Sequence, residues 1–224
     1  MLLKLTGGRI IDPAHDVNDV VRDIYIRDGR IVEKPTDGRV DEEIDVSGKV
    51  IMAGAIDMHT HIGGGKVNIA RTMLPEDHAE AVYERTELLR SGTGHAAPST
   101  LTTGYRYAEM GYTAGFEPAV LPINARQAHM EMHDTPIIDK GGYVMLGSDD
   151  FLLRMMAANS DQEAINNYVA WTINHAQAVG LKVVNPGGIS AFKFNQRKLD
   201  LDEKNDFYRW EEVQFIKTIS LFLL

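Results

Sequence analysis

The spacing of apolar segments changes once along this chain, near residue 52, and that change constrains the fold more than any single motif. Before it, short alternating runs follow one another with only a turn between them. Residues 2–11 alternate into Gly7-Gly8 and out again. "DIYIRDGRIVE" reads as strand, Asp28-Gly29 turn, strand, and "EEIDVSGKVI" as a further strand pair about Gly48. An all-β layer over residues 1–52 is the expectation. From residue 53 onward the apolar segments lie further apart and alternate with helical patterns, as in βα units, which place helices over a parallel sheet. Strand candidates fall at 51–60, 112–117, 136–146 and 181–185. The clearest helix is "SDQEAINNYVAWTINHAQAVG", with Ser160 and Glu163 as a capping box, Ile165, Tyr168, Val169, Ala176 and Val179 on one face, and Gly180 as its stop.

The first of those strands, "IMAGAIDMHTH", starts apolar and finishes on His59 and His61, followed by Gly63, Gly64 and Gly65. Residues i and i+2 of a strand point to one face with Cα atoms about 6.5 to 7 Å apart, so two imidazoles there can converge on one point. The end of a strand, where the chain turns to loop, is also where a barrel gathers its metal-binding and catalytic groups.

Composition removes several classes of function. The 224 residues carry a net charge of −9, without a basic patch that would suit nucleic acid. With no cysteine, disulfides and cysteine-held zinc or iron–sulfur clusters are excluded for this chain, and any cysteine-held redox centre would lie on a partner. "MLLKLTGGRIIDPAHD" has no sustained apolar stretch and no cleavage-like site, which makes the cytoplasm the expected compartment. The terminal "SLFLL" is far shorter than the ~20 residues that span a bilayer, so no membrane association is expected.

Lys182 stands inside the apolar run "LKVV". Lysine is a poor strand former and costly to desolvate. Two readings stay open on the residues alone. In one, the side chain takes a solvent-facing alternate position or an ion pair. In the other, burial lowers the amine's pKa, so that the neutral form acts as a nucleophile or combines with CO2.

Four longer segments, "IDMHTHIGGGKVNIAR", "RSGTGHAAPSTLTTGYRYAEMGYT", "ARQAHMEMHDTPIID" and "KVVNPGG", carry a more specific signal. Together they resemble the amidohydrolase-type subunits of formylmethanofuran dehydrogenase and of the bacterial formyltransferase/hydrolase complex, within the amidohydrolase superfamily. The resemblance runs from residue 1 to about residue 205, and "LGSDDFLLR" leans toward the bacterial branch. It implies an α/β fold: a metal-dependent, TIM-like (β/α) barrel of amidohydrolase type over residues 53–224, preceded by strands of a small composite β-sandwich over 1–52. It also implies that His59 and His61 are metal ligands from the first barrel strand. Lys182 then matches a fourth-strand lysine that, once carboxylated, bridges two zinc ions and belongs to the catalytic centre. The implied activity is hydrolysis or formation of the N-formyl bond of formylmethanofuran, in one-carbon metabolism, with the other subunits of a formylmethanofuran-processing complex as partners. Lys66, Asn68 and Arg71, just after the metal-site strand, leave two readings open: they reach an acidic or polar carrier tail, or they belong to a solvated loop.

Two alternatives accompany that reading. A dihydropyrimidinase-like cyclic amide hydrolase would share the superfamily pattern, although the long "GTGHAAPSTLTTGYRYAEMGYT" insert argues against it. A non-catalytic fragment or assembly subunit would follow from the number of barrel strands, because only four are found where the superfamily's later strands contribute two more histidines and an aspartate. The chain therefore reads as the first half of a barrel, truncated and inactive by itself. His129 and His133 share a helical face in "AHMEMH", but Met130 occupies the place of the glutamate in a zinc-protease motif, and a packing role suits them better. His78, His95 and His175 lack comparable context.

Overall fold

The computed structural model describes residues 1–73 and 98–184. His78, His95, most of the "RSGTGHAAPS" stretch and everything from residue 185 onward lie outside the described residues. The chain divides into two compact units, Met1–Gly54 and a second beginning at Ala55.

The first unit holds β1 (Leu2–Thr6), β2 (Arg9–Asp12), β3 (Val17–Val21), β4 (Ile24–Arg27), β5 (Arg30–Val32), β6 (Glu42–Asp45) and β7 (Val50–Met52). They form two sheets, ordered β5-β4-β1-β6 and β3-β2-β7. β4 and β5 make the expected hairpin, with Arg27 opposite Arg30. Asp28 and Gly29 take φ of 51° and 74°, the doubly positive turn that matches strand twist.

The other two expected pairs do not form. β1 and β2 belong to different sheets, and so do β6 and β7. Instead β1 runs parallel to β6, and β2 parallel to β7. The two chain segments pass side by side from one sheet to the other, tied at the corner by Val46 N–H to Thr6 O (2.9 Å) and Arg9 N–H to Lys49 O (3.0 Å). Gly7, at φ +75°, sits so close to this partner that a Cβ would collide with Ser47 Oγ. Gly7-Gly8 is a close crossing of two backbones, and a local sequence pattern cannot tell that from a hairpin turn.

The second unit runs β8 (Ala55–Asp57), α1 (Gly65–Met73), α2 (Thr100–Glu109), β9 (Tyr112–Val120), α3 (Ala125–His133), β10 (Asp139–Met145), α4 (Asp150–Ala157), α5 (Gln162–His175) and β11 (Gly180–Lys182). Its strands form one parallel sheet in chain order, β8-β9-β10-β11. This is an α/β partial barrel, each strand returning to the sheet through helix. The expected single strand over 51–60 is corrected: β7 and β8 are two strands in different units, separated at Ala53-Gly54, because β7 pairs with β2 and β8 with β9. β10 begins later than expected, at Asp139, since Pro136 is followed by Ile137 at φ 71°, outside strand geometry.

α3, α4 and α5 cover the sheet. Val120, Val144, Leu146, Leu152, Leu153, Ile165 and Val169 form a continuous buried cluster between them. Each such side chain contributes on the order of 1.5–3 kcal/mol relative to exposure. α5 differs from its expected outline. Its N-cap is Asp161, whose carboxylate accepts from Ala164 N–H at 2.8 Å, one residue after the expected Ser160. Its buried stripe is Ile165, Val169, Thr172 and Ala176. The helix ends when Gln177 turns left-handed, at φ 50°. Val179 therefore lies beyond it and is exposed, and Gly180 opens β11. No described helix is long and apolar enough to cross a membrane.

α2 packs on the turn before β10 through Gly104, where a Cβ would collide with the Pro136 carbonyl oxygen and lie 2.6 Å from its Cδ. Alanine ordinarily stabilises a helix interior relative to glycine by about 0.5–1 kcal/mol. Here the sign is expected to reverse. Gly104→Ala should lower the unfolding free energy in urea by about 1–3 kcal/mol, the range for overpacking against backbone that cannot retreat. An unchanged or raised urea midpoint would contradict this packing.

Candidate active site

The site forms at the C-terminal ends of the parallel strands. Strand β8 stops at Asp57, and its carboxylate accepts the His59 backbone N–H at 2.9 Å. The chain then stays beside β9, with Thr60 N–H donating to Phe116 O at 3.0 Å. His59 and His61 therefore sit on an irregular extension of the strand. They still point to one side. Their rings meet edge to face with centroids 5.4 Å apart, while Thr60 between them is buried and shares a hydrogen bond with Tyr107. Tyr107, on α2, also donates to Asp57 Oδ2 at 2.8 Å. Burial, with that carboxylate beside it, pushes the phenol above its ordinary value and keeps it a donor.

Lys182 ends β11, at the far edge of the sheet from β8, and is half-buried. Its Nζ nevertheless lies 3.4 Å from His59 Nε2. Three strand spacings of about 4.8 Å would hold the two strand ends some 14 Å apart in a flat sheet. The curl of the sheet and the reach of the two side chains together close that distance. His59 thus lies against both His61 and Lys182, although among the described residues no cluster of three or more His, Asp or Glu side chains could hold a metal ion.

The sequence matches the amidohydrolase family over residues 42–213. The chain belongs to that family. It is 39% identical over 210 residues to FhcA, the first-lettered component of the formyltransferase/hydrolase complex Fhc of Methylorubrum extorquens, covering 93% of this chain and 37% of that protein. It is 38% identical to Protein FwdA of Methanocaldococcus jannaschii, covering 91% of this chain and 35% of that protein. It also superposes on the crystal structure of the Methylorubrum extorquens formyltransferase/hydrolase complex FhcABCD with methylofuran, at a TM-score of 0.85 and 36% identity, covering 98% of this chain and 39% of the other. The chain thus spans little more than a third of the length of these relatives.

This amidohydrolase fixes its His-x-His segment through two glutamates that sequence reasoning missed. Glu117, on β9, is fully buried. Its carboxylate accepts Ile62 N–H (2.8 Å), Gly63 N–H (3.3 Å) and Ala119 N–H (3.0 Å), and lies 3.0 Å from His61 Nδ1. Glu117 stands at a break in the ladder, where the register between β9 and β10 shifts and Pro118 offers no N–H. Ala119 N–H, within the shifted stretch, is met by the Glu117 side chain. The signal was available: a charged residue before proline in "GFEPAV" carries the same desolvation cost that marked Lys182.

Glu131, on α3, accepts Gly64 N–H (2.7 Å), Asn68 Nδ2 (2.7 Å) and Gln127 Nε2 (3.2 Å), with Arg71 Nη1 at 3.8 Å. Arg71 in turn donates to Asn68 Oδ1, Ile62 O and Pro98 O. The side chains of Asn68 and Arg71, expected to reach a carrier tail, are thus engaged with the chain's own loop, and Lys66 is exposed. His129 donates Nε2–H to Ala176 O at 2.8 Å, joining α3 to the end of α5, while His133 and His175 are exposed, the latter stacked on Trp171.

Burial alone would raise Glu131, but the Gly64, Asn68 and Gln127 hydrogen bonds and the Arg71 charge outweigh it and hold the carboxyl below the ordinary glutamate value. A depressed folded-state value adds stability above the unfolded pKa, and that stability disappears as pH falls through the folded one. Glu131→Gln should therefore unfold more easily than the parent by about 1 kcal/mol at neutral pH. The gap should close as pH drops below the ordinary glutamate range. Urea midpoints of both proteins across pH 3–8 check this, and a constant gap would contradict it.

Proposed function

We propose that this chain carries part of the metal-binding half of a hydrolase that cleaves or forms the N-formyl bond of a formylmethanofuran-type carrier within a multi-subunit, cytoplasmic complex. The contacts of His59 with His61 and with Lys182 at the open end of a curled parallel sheet carry the reading. Its support from likeness is that FhcA and FwdA each match over nine-tenths of this chain, and that the matched crystal structure holds methylofuran.

The donor set fits a zinc centre of this kind. Imidazole nitrogen and carboxylate-type oxygen suit zinc, and a carboxylate beside the second nitrogen of a ligating imidazole is the usual outer support. His59 and His61 would hold the metal through ring nitrogens. Lys182 would join them as its carbamate, formed when the neutral amine nitrogen bonds to the carbon of CO2 and releases a proton. Zinc held there supplies Lewis acidity toward a formyl carbonyl and toward water. The chain's own groups hold and orient: Thr60 and Tyr107 fix the segment between the two imidazoles from the buried side, and the Glu117 and Glu131 carboxylates fix the loop after them.

Three donors among the described residues are fewer than a two-zinc centre takes. The purified 224-residue chain is expected to bind zinc weakly, to lose at least about tenfold in affinity in His59→Ala or His61→Ala, and to release no formate from N-formylmethanofuran. Calorimetric zinc titration and a formate assay check both points. Two tightly bound zinc ions with measurable turnover would overturn the expectation of an incomplete site. Hydrolysis of dihydrouracil in place of N-formylmethanofuran would favour the cyclic-amide reading instead.

A further inference from the structure

The Glu117 carboxylate has four groups around it, and three of them are backbone N–H donors that cannot change. The fourth partner is His61 Nδ1, which can either donate or accept according to which ring nitrogen carries the proton. A carboxylate oxygen offers only acceptance to it. We propose that Glu117 is the positioning residue for His61: by accepting Nδ1–H it fixes the imidazole in the tautomer whose lone pair is on Nε2, the nitrogen on the far side of the ring. The proposal rests on the reading of His61 as a metal ligand, because presenting that lone pair is its purpose.

Three features of the geometry single out this role. Glu117 is buried completely while His61 is exposed, so the carboxylate is the fixed member of the pair and the ring the adjustable one. The oxygens divide the work. Oε2 takes Ile62 and Gly63, and Oε1 takes Ala119 and His61. The acceptor that sets the ring is therefore held by the same backbone that carries the ring, one residue further on. A loop movement that displaced His61 would have to break Glu117's bonds to Ile62 and Gly63 as well.

The division of oxygens predicts what an isosteric amide does. In Glu117→Gln the amide oxygen is expected to face Ile62 and Gly63, since two fixed N–H donors outweigh the single one of Ala119, which loses its acceptor. That turns the amide N–H toward Ala119 and His61. His61 can relieve the conflict by accepting at Nδ1, which moves its proton to Nε2 and removes the lone pair there.

The test is nitrogen NMR on the metal-free 224-residue chain with labelled histidine, at a pH where the imidazoles are neutral. The parent should show His61 as the Nδ1–H tautomer, and Glu117→Gln should show it as Nε2–H, with zinc affinity about 10- to 100-fold weaker. A purely structural carboxylate would shift the unfolding midpoint without exchanging the tautomer. The parent measurement needs no variant, so failure of Glu117→Gln to fold leaves the test intact. An Nε2–H tautomer in the parent, or an unaltered tautomer and zinc affinity in a folded Glu117→Gln, would overturn the proposal. An Nδ1–H tautomer in a parent that takes up no zinc would support the positioning of His61 and overturn the metal reading on which it rests.

Discussion

Parallel pairing in chain order is the constraint on which the second unit depends. Because β8, β9, β10 and β11 all point the same way, their C-terminal ends lie on one side, and each return to the start of the next strand must be covered by helix. The helices α3, α4 and α5 bury Val120, Val144, Leu146, Leu152, Leu153, Ile165 and Val169 against that sheet. Sheet twist and this one-sided cover let the strands curl, and curling brings the first and last strand ends together. The 3.4 Å approach of Lys182 to His59 is the visible consequence.

The loop that follows His61 shows how a polar site is held rigid without a large local core. Gly63, Gly64 and Gly65 cannot pack side chains, so the segment is fixed by its backbone donors. Glu117 takes the N–H groups of Ile62 and Gly63 from the strand side, and Glu131 takes that of Gly64 from the helix side. The glycines are needed for the same reason. A Cβ at Gly63 would come within 2.9 Å of Glu131 Cβ, and one at Gly65 within 2.8 Å of Asn124 Nδ2. Arg71 closes the arrangement by bonding the Ile62 carbonyl from α1. Buried charge here serves placement: each carboxylate is met by several donors, which offsets its desolvation.

The span matched to the amidohydrolase family, residues 42–213, contains His59, His61, Glu117, Glu131 and Lys182. The likeness to FhcA covers nearly all of this chain but little more than a third of that protein.

Local residue patterns carry the change from closely spaced strands to βα units, the β4–β5 hairpin and the candidate ligands. These are local: Asp28-Gly29 prescribes its turn, apolar spacing its element, and i, i+2 spacing the shared side of two histidines. What pairs with what depends on long-range packing. Gly7-Gly8 reads as a turn, yet β1 and β2 part into two sheets because their partners β6 and β7 lie some forty residues on. "IMAGAIDMHTH" reads as one strand, yet it is divided because its two halves pair with β2 and β9. The approach of Lys182 to His59, 123 residues away, is likewise set by the fold. Glu117 and Glu131 acquire their hold on the loop after His61 through Ile62, Gly63 and Gly64, donors that lie more than fifty residues away in sequence. A carboxylate's partners are fixed by long-range packing, and no local pattern of residues encodes which backbone N–H will arrive beside it.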